Sequence, residues 1–405
     1  MGFKLIDYAL HEVLTIKYGK NQKKVLDEQG KYPILGTGGI MGYANQFLYD
    51  KPSVLIGRKG SIRKVRFIDR PFWTVDTLFY SEVNEEIVYP KFIYYYLSQI
   101  DFEHYNEGTT IPSLRTETLN RISISLPSKP DQRKILNTIN PIEEKINVNE
   151  KIISNLEQLA QTLYKRWFVD FEFPNENGEP YKSSGGEMVD SELGKIPSNW
   201  EIKAIEELIN VIDNRGKTPP QVKNNTKYPI IDVKGLSGTS RIIDFNNCLK
   251  HVNRETYENW FRNGHPEEYD ILFSTVGSIG SIKLFYGKVG CIAQNVVALR
   301  SKNISPFYLY QYIDREQERI KTYDIGSVQP SIKITHFIKK KILIPSYNIE
   351  KEFHEVIETI SHKIYSLTKE IRELGELRDT LLPKLLTGEI ELPEEIEVTE
   401  DVPIS

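Results

Sequence analysis

The chain repeats itself at long range, and that repeat constrains its fold more than any local pattern does. Tyr32-Pro33-Ile34 recurs as Tyr228-Pro229-Ile230, and Gly19-Lys20 recurs as Gly216-Lys217, at offsets of 196 and 197 residues. Further along, Ile111-Pro112-Ser113-Leu114 answers Gln329-Pro330-Ser331-Ile332, and Leu126-Pro127-Ser128 answers Ile344-Pro345-Ser346, both at an offset of 218. The second copy therefore carries about twenty additional residues. They fall between roughly Leu236 and Tyr269, where Asn246, Asn247, Asn253 and Asn263 signal an inserted loop or subdomain.

A heptad run follows each set of matched strings. In the first copy its core positions are Ile135, Ile139, Ile142, Ile146, Asn149, Ile153, Leu156, Ala160, Leu163 and Trp167. Adding 218 gives Phe353, Ile357, Ile360, Ile364, Leu367, Ile371, Leu374, Arg378, Leu381 and Leu385. Nine of ten are apolar in each run, against a 39% hydrophobic background, so the period is not accidental. A period of 3.5 describes a narrow seam made for a partner helix, and the economical partner is the other run. Two unrelated amphipathic helices, each lying on its own domain, are the plainer alternative. Pro141 kinks the first helix or marks its first turn. From Ile142 to Phe168 the run is unbroken and would span about 40 Å, slightly more than one turn of B-DNA.

These landmarks divide the chain into a first domain (residues 1–128), a first helix region (129–170), a linker rich in Asn, Gly, Pro and Ser (171–192), a second domain (193–346), a second helix region (347–387) and an acidic tail (388–405). Short β-branched and aromatic runs such as Ser53 to Ile56, Thr74 to Tyr80, Asp270 to Phe273 and Gln294 to Leu299 read as strands, punctuated by Gly57, Gly60, Gly277 and Gly280. Segments around Phe92 to Leu97 and Phe307 to Ile313 read as helical. Each copy is thus expected to be a mixed α/β domain followed by a long helix, and the whole to be pseudo-twofold symmetric. The expected seam is Ile146, Asn149, Ile153, Leu156 and Leu163 against Ile364, Leu367, Ile371, Leu374 and Leu381, with Asn149 setting register and Arg378 capping or pairing.

Common catalytic signatures are missing. His11 opens HEVL without the second histidine of a zinc-protease helix, and seven scattered histidines form no ligand cluster, so no metal site is expected. GTGGIMG from Gly36 has the wrong spacing for a dinucleotide loop, and GKT at Gly216 lacks the upstream glycine of a phosphate loop. No Asn-Pro-Pro-aromatic string of amino-methyltransferases occurs, and no carboxylate cluster beside a lysine suggests a nuclease. Cys248 and Cys291 read as core thiols of a reducing compartment. With no run of 18 apolar residues and no basic leader at the N-terminus, the expectation is a soluble, cytoplasmic protein without membrane partners.

Charge is informative only locally, because 52 Lys plus Arg nearly balance 56 Asp plus Glu. Between Lys51 and Arg70, seven cations (Lys51, Arg58, Lys59, Arg63, Lys64, Arg66, Arg70) face Asp69 alone, a balance of +6. From Asn214 to Lys250, seven (Arg215, Lys217, Lys223, Lys227, Lys234, Arg241, Lys250) face Asp232 and Asp244, a balance of +5. Such stretches are suited to DNA phosphates, and their Arg, Lys, Ser and Gln side chains can also reach base edges.

The residues also carry a family pattern. DILFSTVGSIG from Asp270, QNVVAL from Gln294, GSVQPSIKITHF from Gly326, PDQRKI from Pro130, LEQLAQTLYKRWFVDF from Leu156, LGKIPSNW from Leu193 and LRDTLLPKLLTGEI from Leu377 together resemble the specificity (S) subunits of type I restriction-modification systems. IGRKGSI from Ile56 and PFWTVDTLFY from Pro71 are similar to the same recognition-domain core, and the likeness covers essentially the whole chain. Lys59 and Gly60 stand where the second copy has Val276 and Gly277, and Ile111 stands where it has Gln329. The two copies are therefore expected to read different half-sites.

The resemblance implies a subunit without catalysis of its own. Two target recognition domains would read an asymmetric bipartite site on double-stranded DNA. Two long helices, forming an antiparallel coiled coil, would set the spacer and dock adenine methyltransferase (M) subunits, two in all. ATP-dependent restriction (R) subunits join where present. SAM, ATP and Mg would belong to those partners, with no cofactor in this chain. The residues expected at DNA are Arg58, Lys59, Ser61, Lys64, Thr110 and Arg115 in the first copy. In the second they are Arg215, Lys217, Lys234, Ser274, Ser278, Ser327, Gln329 and Lys333. The rival reading is a coiled-coil scaffold or dimeriser without DNA readout, from which salt-sensitive DNA binding would distinguish it.

Overall fold

The structure is a computed structural model that describes residues 3–216, 218–287, 289–292, 294–326 and 329–390. It divides into two compact units, Met1–Ile146 with Glu373–Ser405, and Asn147–Arg372. The fold is mixed α/β with long helices.

In the first unit, β1 (Ile6–Ala9) pairs antiparallel with β9 (Ser123–Leu126). A four-stranded sheet has the order β2 (Leu14–Tyr18), β8 (Leu78–Val83), β5 (Ser53–Gly57), β6 (Val65–Ile68). A three-stranded sheet has the order β4 (Gly39–Ala44), β3 (Tyr32–Gly36), β7 (Trp73–Thr74), with β3 and β7 parallel. Every residue of β5 is buried, which accounts for its uninterrupted Ser-Val-Leu-Ile-Gly run rather than an alternating one. The aromatic helix Pro90–Ser98 begins with proline at its first turn and buries Phe92, Ile93, Tyr95 and Leu97 in the core.

In the second unit, β12 (Glu201–Ala204) pairs with β20 (Lys341–Ile344). A four-stranded sheet has the order β13 (Ile209–Ile212), β19 (Val296–Ser301), β16 (Ile271–Ser274), β17 (Ile282–Leu284). A three-stranded sheet has the order β15 (Lys250–His251), β14 (Pro229–Ile231), β18 (Cys291–Ile292), with β14 and β18 parallel. Strand order and direction therefore match those of the first unit, element by element. From the start of β3 to the start of β5 is 21 residues, and from β14 to β16 is 42, so the additional residues lie around β15.

The first long helix runs Lys129–Phe168 and the second Tyr347–Thr387. Pro141 lies well inside the first helix, not in its first turn. In the first unit, Ile135, Leu136 and Ile139 share a core with Leu382, Leu385 and Leu386, and Arg378 Nη1 pairs with Glu143 Oε1 at 3.2 Å. In the second unit, Asn149 Nδ2 donates to Glu370 Oε2 at 3.0 Å, and the Trp167 and Phe353 rings lie 5.8 Å apart. The two segments therefore run in opposite directions there. Asn149, Ile364 and Leu367 are buried, Ile146, Ile153, Leu156, Leu163, Ile371, Leu374 and Leu381 half-buried.

The segment read as a linker is more ordered than its Gly, Pro and Ser content suggests. Phe173 stacks between Tyr181, at 4.5 Å, and Trp200, at 5.2 Å, and β10 (Met188–Ser191) forms a hairpin with β11 (Gly194–Pro197). Aromatic burial outweighs the cost of ordering the small residues between. Of the acidic tail, residues 391–405 lie outside the described residues.

Candidate nucleic-acid interface

In each unit two loops are joined by the same backbone bonds. The first loop leaves β5 through Gly57, turns at Gly60 (φ +82°) and reaches β6. The second follows a short helical turn at Phe102–Tyr105. There Asn106 Oδ1 accepts the N–H groups of Gly108 and Ser113, both at 2.9 Å. Gly60 N–H donates to the Pro112 carbonyl, and Leu114 N–H to the Arg58 carbonyl, both at 2.9 Å. Arg58 N–H in turn donates to the Thr77 carbonyl at 2.9 Å.

The second unit repeats this arrangement. Asp324 Oδ1 accepts Ser331 N–H at 2.9 Å and Gly326 N–H at 2.8 Å, and those donors hold its carboxyl below the usual range. Gly277 (φ +84°) N–H donates to the Pro330 carbonyl, Ile332 N–H to the Thr275 carbonyl, and Thr275 N–H to the Asn295 carbonyl. A Cβ at Gly108 would sit 1.9 Å from the Ile111 carbonyl oxygen, and one at Gly326 1.8 Å from that of Gln329. Only glycine permits that approach. Asn106, Gly108, Asp324 and Gly326 were not singled out from the sequence. Their signal was present, because each pair is separated by the same 218 residues and supplies the same kind of acceptor or the same small residue.

Of the residues expected at DNA, Lys59, Ser61 and Thr110 are exposed on these joined loops of the first unit, with Lys64 at the end of the first loop. Arg58 is half-buried, donates Nη1 to the Asp76 carbonyl at 2.9 Å and lies 5.0 Å over the Tyr18 ring. Arg115 is exposed but pairs with Glu107 Oε2 at 3.0 Å. In the second unit Ser278, Gln329 and Lys333 are exposed on or beside the loop pair, and Lys234 is exposed in the short helical turn Val233–Leu236 after β14. Arg215 clamps Asp213 at 2.8 and 2.9 Å. Burial raises that carboxyl, but the Arg215 contacts outweigh it and hold it below its ordinary range. Ser274 is fully buried. Its hydroxyl donates to the Ser278 carbonyl and accepts Ser281 N–H at 2.9 Å, so it braces the turn from inside and is not placed to reach a ligand. Lys217 and Ser327 lie outside the described residues.

Part of the basic charge read as phosphate-facing is used within the protein. Arg66 donates to the Gly36 and Thr37 carbonyls at 3.2 and 2.9 Å, tying β6 to the β3–β4 turn. Arg63 pairs with Glu103 at 3.1 Å. Arg241, near the start of the insert, is 0% exposed. Its Nε and Nη2 reach Glu157 Oε2 at 3.0 and 2.7 Å, and its Nη1 donates to Ser361 Oγ at 2.9 Å. Burial works against the guanidinium charge and Glu157 more than offsets it. Nearby, burial brings the Lys283 ammonium down to about 8 while its Nζ caps the Gly238 carbonyl at 2.7 Å. The insert and helices of this unit border a half-open cavity of about 1040 Å³. Its lining mixes Glu150, Glu157 and Asp244 with Lys227, Lys369 and Arg372, which does not favour an anion.

Among the described residues no three His, Cys, Asp or Glu side chains gather as metal ligands, and no helix is long and apolar enough to cross a membrane.

Comparison with known proteins agrees with this architecture. A family profile described as the type I restriction modification DNA specificity domain matches residues 6–158 and again residues 197–376. The type I restriction enzyme MjaIX specificity subunit of Methanocaldococcus jannaschii is 26% identical over 360 residues, covering 86% of this chain and 79% of that protein. The type I restriction enzyme HindI specificity subunit of Haemophilus influenzae is 25% identical over 371 residues, covering 76% and 79%. The crystal structure of the type I restriction-modification S subunit from M. genitalium shares the fold, with a TM-score of 0.60 and 19% identity over 95% of this chain and 96% of that one. Since the profile spans most of the sequence in two passes, the chain belongs to the family of type I restriction-modification DNA specificity subunits.

Proposed function

We propose that this chain is the non-catalytic part through which a type I restriction-modification assembly finds its DNA. Two duplicated reading modules each take one half of an asymmetric bipartite site. The two long helices act as an antiparallel coiled coil that sets the unread spacer and docks one adenine methyltransferase subunit per helix region. Methylation, and ATP-driven restriction where such subunits join, belong to the partners, together with SAM, Mg and ATP.

The observation that carries this reading is the pair of matching loop scaffolds, bonded alike through Gly60 and Pro112 and through Gly277 and Pro330, under unlike side chains. Rigid loops with exposed polar tips suit groove readout, and equal scaffolds with different tips suit two different half-sites. The heptad runs and the twofold profile match support the duplication. In the second unit Val148, Leu159, Val356 and Tyr365 are exposed on the long helices, the kind of apolar surface a partner helix would cover.

Footprinting of the chain in complex with its companion methyltransferase tests this. Two short protected tracts flanking an unprotected spacer are expected, with affinity falling steeply as salt rises. Lengthening both long helices by whole turns should move the tracts apart and leave each half-site unchanged. One continuous tract, or a spacer indifferent to helix length, would overturn the reading.

A further inference from the structure

We infer that Ile111 and Gln329 form the matched pair that makes the two units read different bases, Ile111 against the 5-methyl group of a thymine and Gln329 against the N6/N7 edge of an adenine. The inference rests on the proposed DNA reading and deepens it to single positions.

The two residues occupy the same place in equal scaffolds. Each carbonyl is pressed onto a glycine, Gly108 or Gly326, at a distance that excludes a Cβ. Each following proline accepts the N–H of the facing turn glycine. Lys59 bridges Ser113 as Val276 bridges Ser331. A backbone held at this many points presents the side chain at 111 or 329 in a fixed direction, so the chemistry at that point is the side chain's own.

That chemistry differs sharply. Ile111 is 60% exposed, and among the described residues it joins no hydrophobic cluster. A large apolar side chain on a rigid polar loop gives the fold no packing, which leaves a ligand as its reason. The apolar feature of the major groove is the thymine methyl group. Gln329 is also exposed, and its amide lies beside Gly277, where an added Cβ would meet Nε2 at 3.5 Å. A side-chain amide offers one donor and one acceptor in a plane, which matches adenine N7 and N6 and no other base edge as well. The neighbouring difference, Lys59 for Val276, is less suited to discriminate. A flexible ammonium mainly follows phosphate charge, and Val276 is half-buried.

The test uses the full chain with its companion methyltransferase and maps methylated sites in a host without adenine methylation. The wild-type complex is expected to yield one split motif. Ile111→Gln should change the base at one position of one half-site, and Gln329→Ile at one position of the other, each shifting preference by roughly ten- to a hundred-fold. Ile111→Ala and Gln329→Ala remove the contact without supplying a new one, so each should relax its single position to mixed bases, and Ile111→Val should keep the motif. If the wild-type motif is split but both alanine variants retain every base, the assignment to these residues is wrong while the bipartite reading stands. If the wild-type complex gives no split motif, the bipartite reading itself fails.

Discussion

Arg241 and Glu157 form a buried ion pair, with Nη2 2.7 Å from Oε2, that ties the insert of the second unit to the first long helix. Arg241 also donates its backbone N–H to Glu157 Oε1 at 2.7 Å, and its guanidinium lies 5.4 Å from the Tyr310 ring centre. Ser361 on the second long helix takes the remaining branch, so one side chain joins the insert to both helix segments of this unit.

Removing one partner leaves the other charge uncompensated. Arg241→Ala is expected to destabilise the protein by about 3–5 kcal/mol, whereas Arg241→Met combined with Glu157→Leu should come close to wild-type stability. Denaturant unfolding of the three proteins measures this, and equal losses in the single and double variants would contradict the pairing.

Gly108 and Gly326 bear on the loops alone. A methyl group at either must push against a backbone carbonyl, so Gly108→Ala and Gly326→Ala should each cost about 1–3 kcal/mol and loosen one loop pair only. Methylation mapping should show degraded discrimination confined to one half-site per variant. Loss of discrimination in both half-sites from a single substitution would contradict independent loop scaffolds.

Lys59 and Lys64 are exposed on the first unit's loop region and, among the described residues, lack the ion pairs that engage Arg63 and Arg115. Replacing both by alanine should lower the salt dependence of DNA binding by a log–log slope of about two, with little change in base preference. Affinity titrations between low and moderate salt measure the slope. An unchanged slope would remove these lysines from the phosphate contacts.

Burial pushes the thiols of Cys248 and Cys291 up to about 12, with nearby carboxylates adding to the effect at Cys248. An unfolded thiol ionises near 8.5, so between about 8.5 and 12 the folded chain binds more protons than the unfolded one. The stability these thiols contribute is therefore complete below about 8.5 and declines as pH rises toward 12. At pH 8 a disulfide reagent should label both cysteines slowly in the folded protein and rapidly in denaturant. Fast labelling of the native state would contradict their burial.

Much of the architecture was legible because the repeat registers local patterns that recur: strand runs, turn glycines and a 3.5-residue apolar period. The equivalence of Ile111 and Gln329 within the two copies follows from that offset alone. What could not be read were partnerships across long separations. Arg241 sits in a basic run and reads as solvent-facing until Glu157, 84 residues earlier, is brought beside it. Ser274 is polar and lies in a recognised motif, yet its hydroxyl turns inward because the backbone of Ser278 and Ser281 closes around it. The segment after Phe171 contains turn-forming residues, but turn chemistry does not imply mobility once Phe173, Tyr181 and Trp200 stack.

The proposed function requires two unlike readers on one chain, held a set distance apart along DNA. Mapping methylated adenines in a methylation-free host that carries this gene and its companion methyltransferase gene tests it most directly. The expected result is one motif made of two different short halves around a spacer of constant length. A continuous motif, two identical halves, or a spacer that varies from site to site would contradict it.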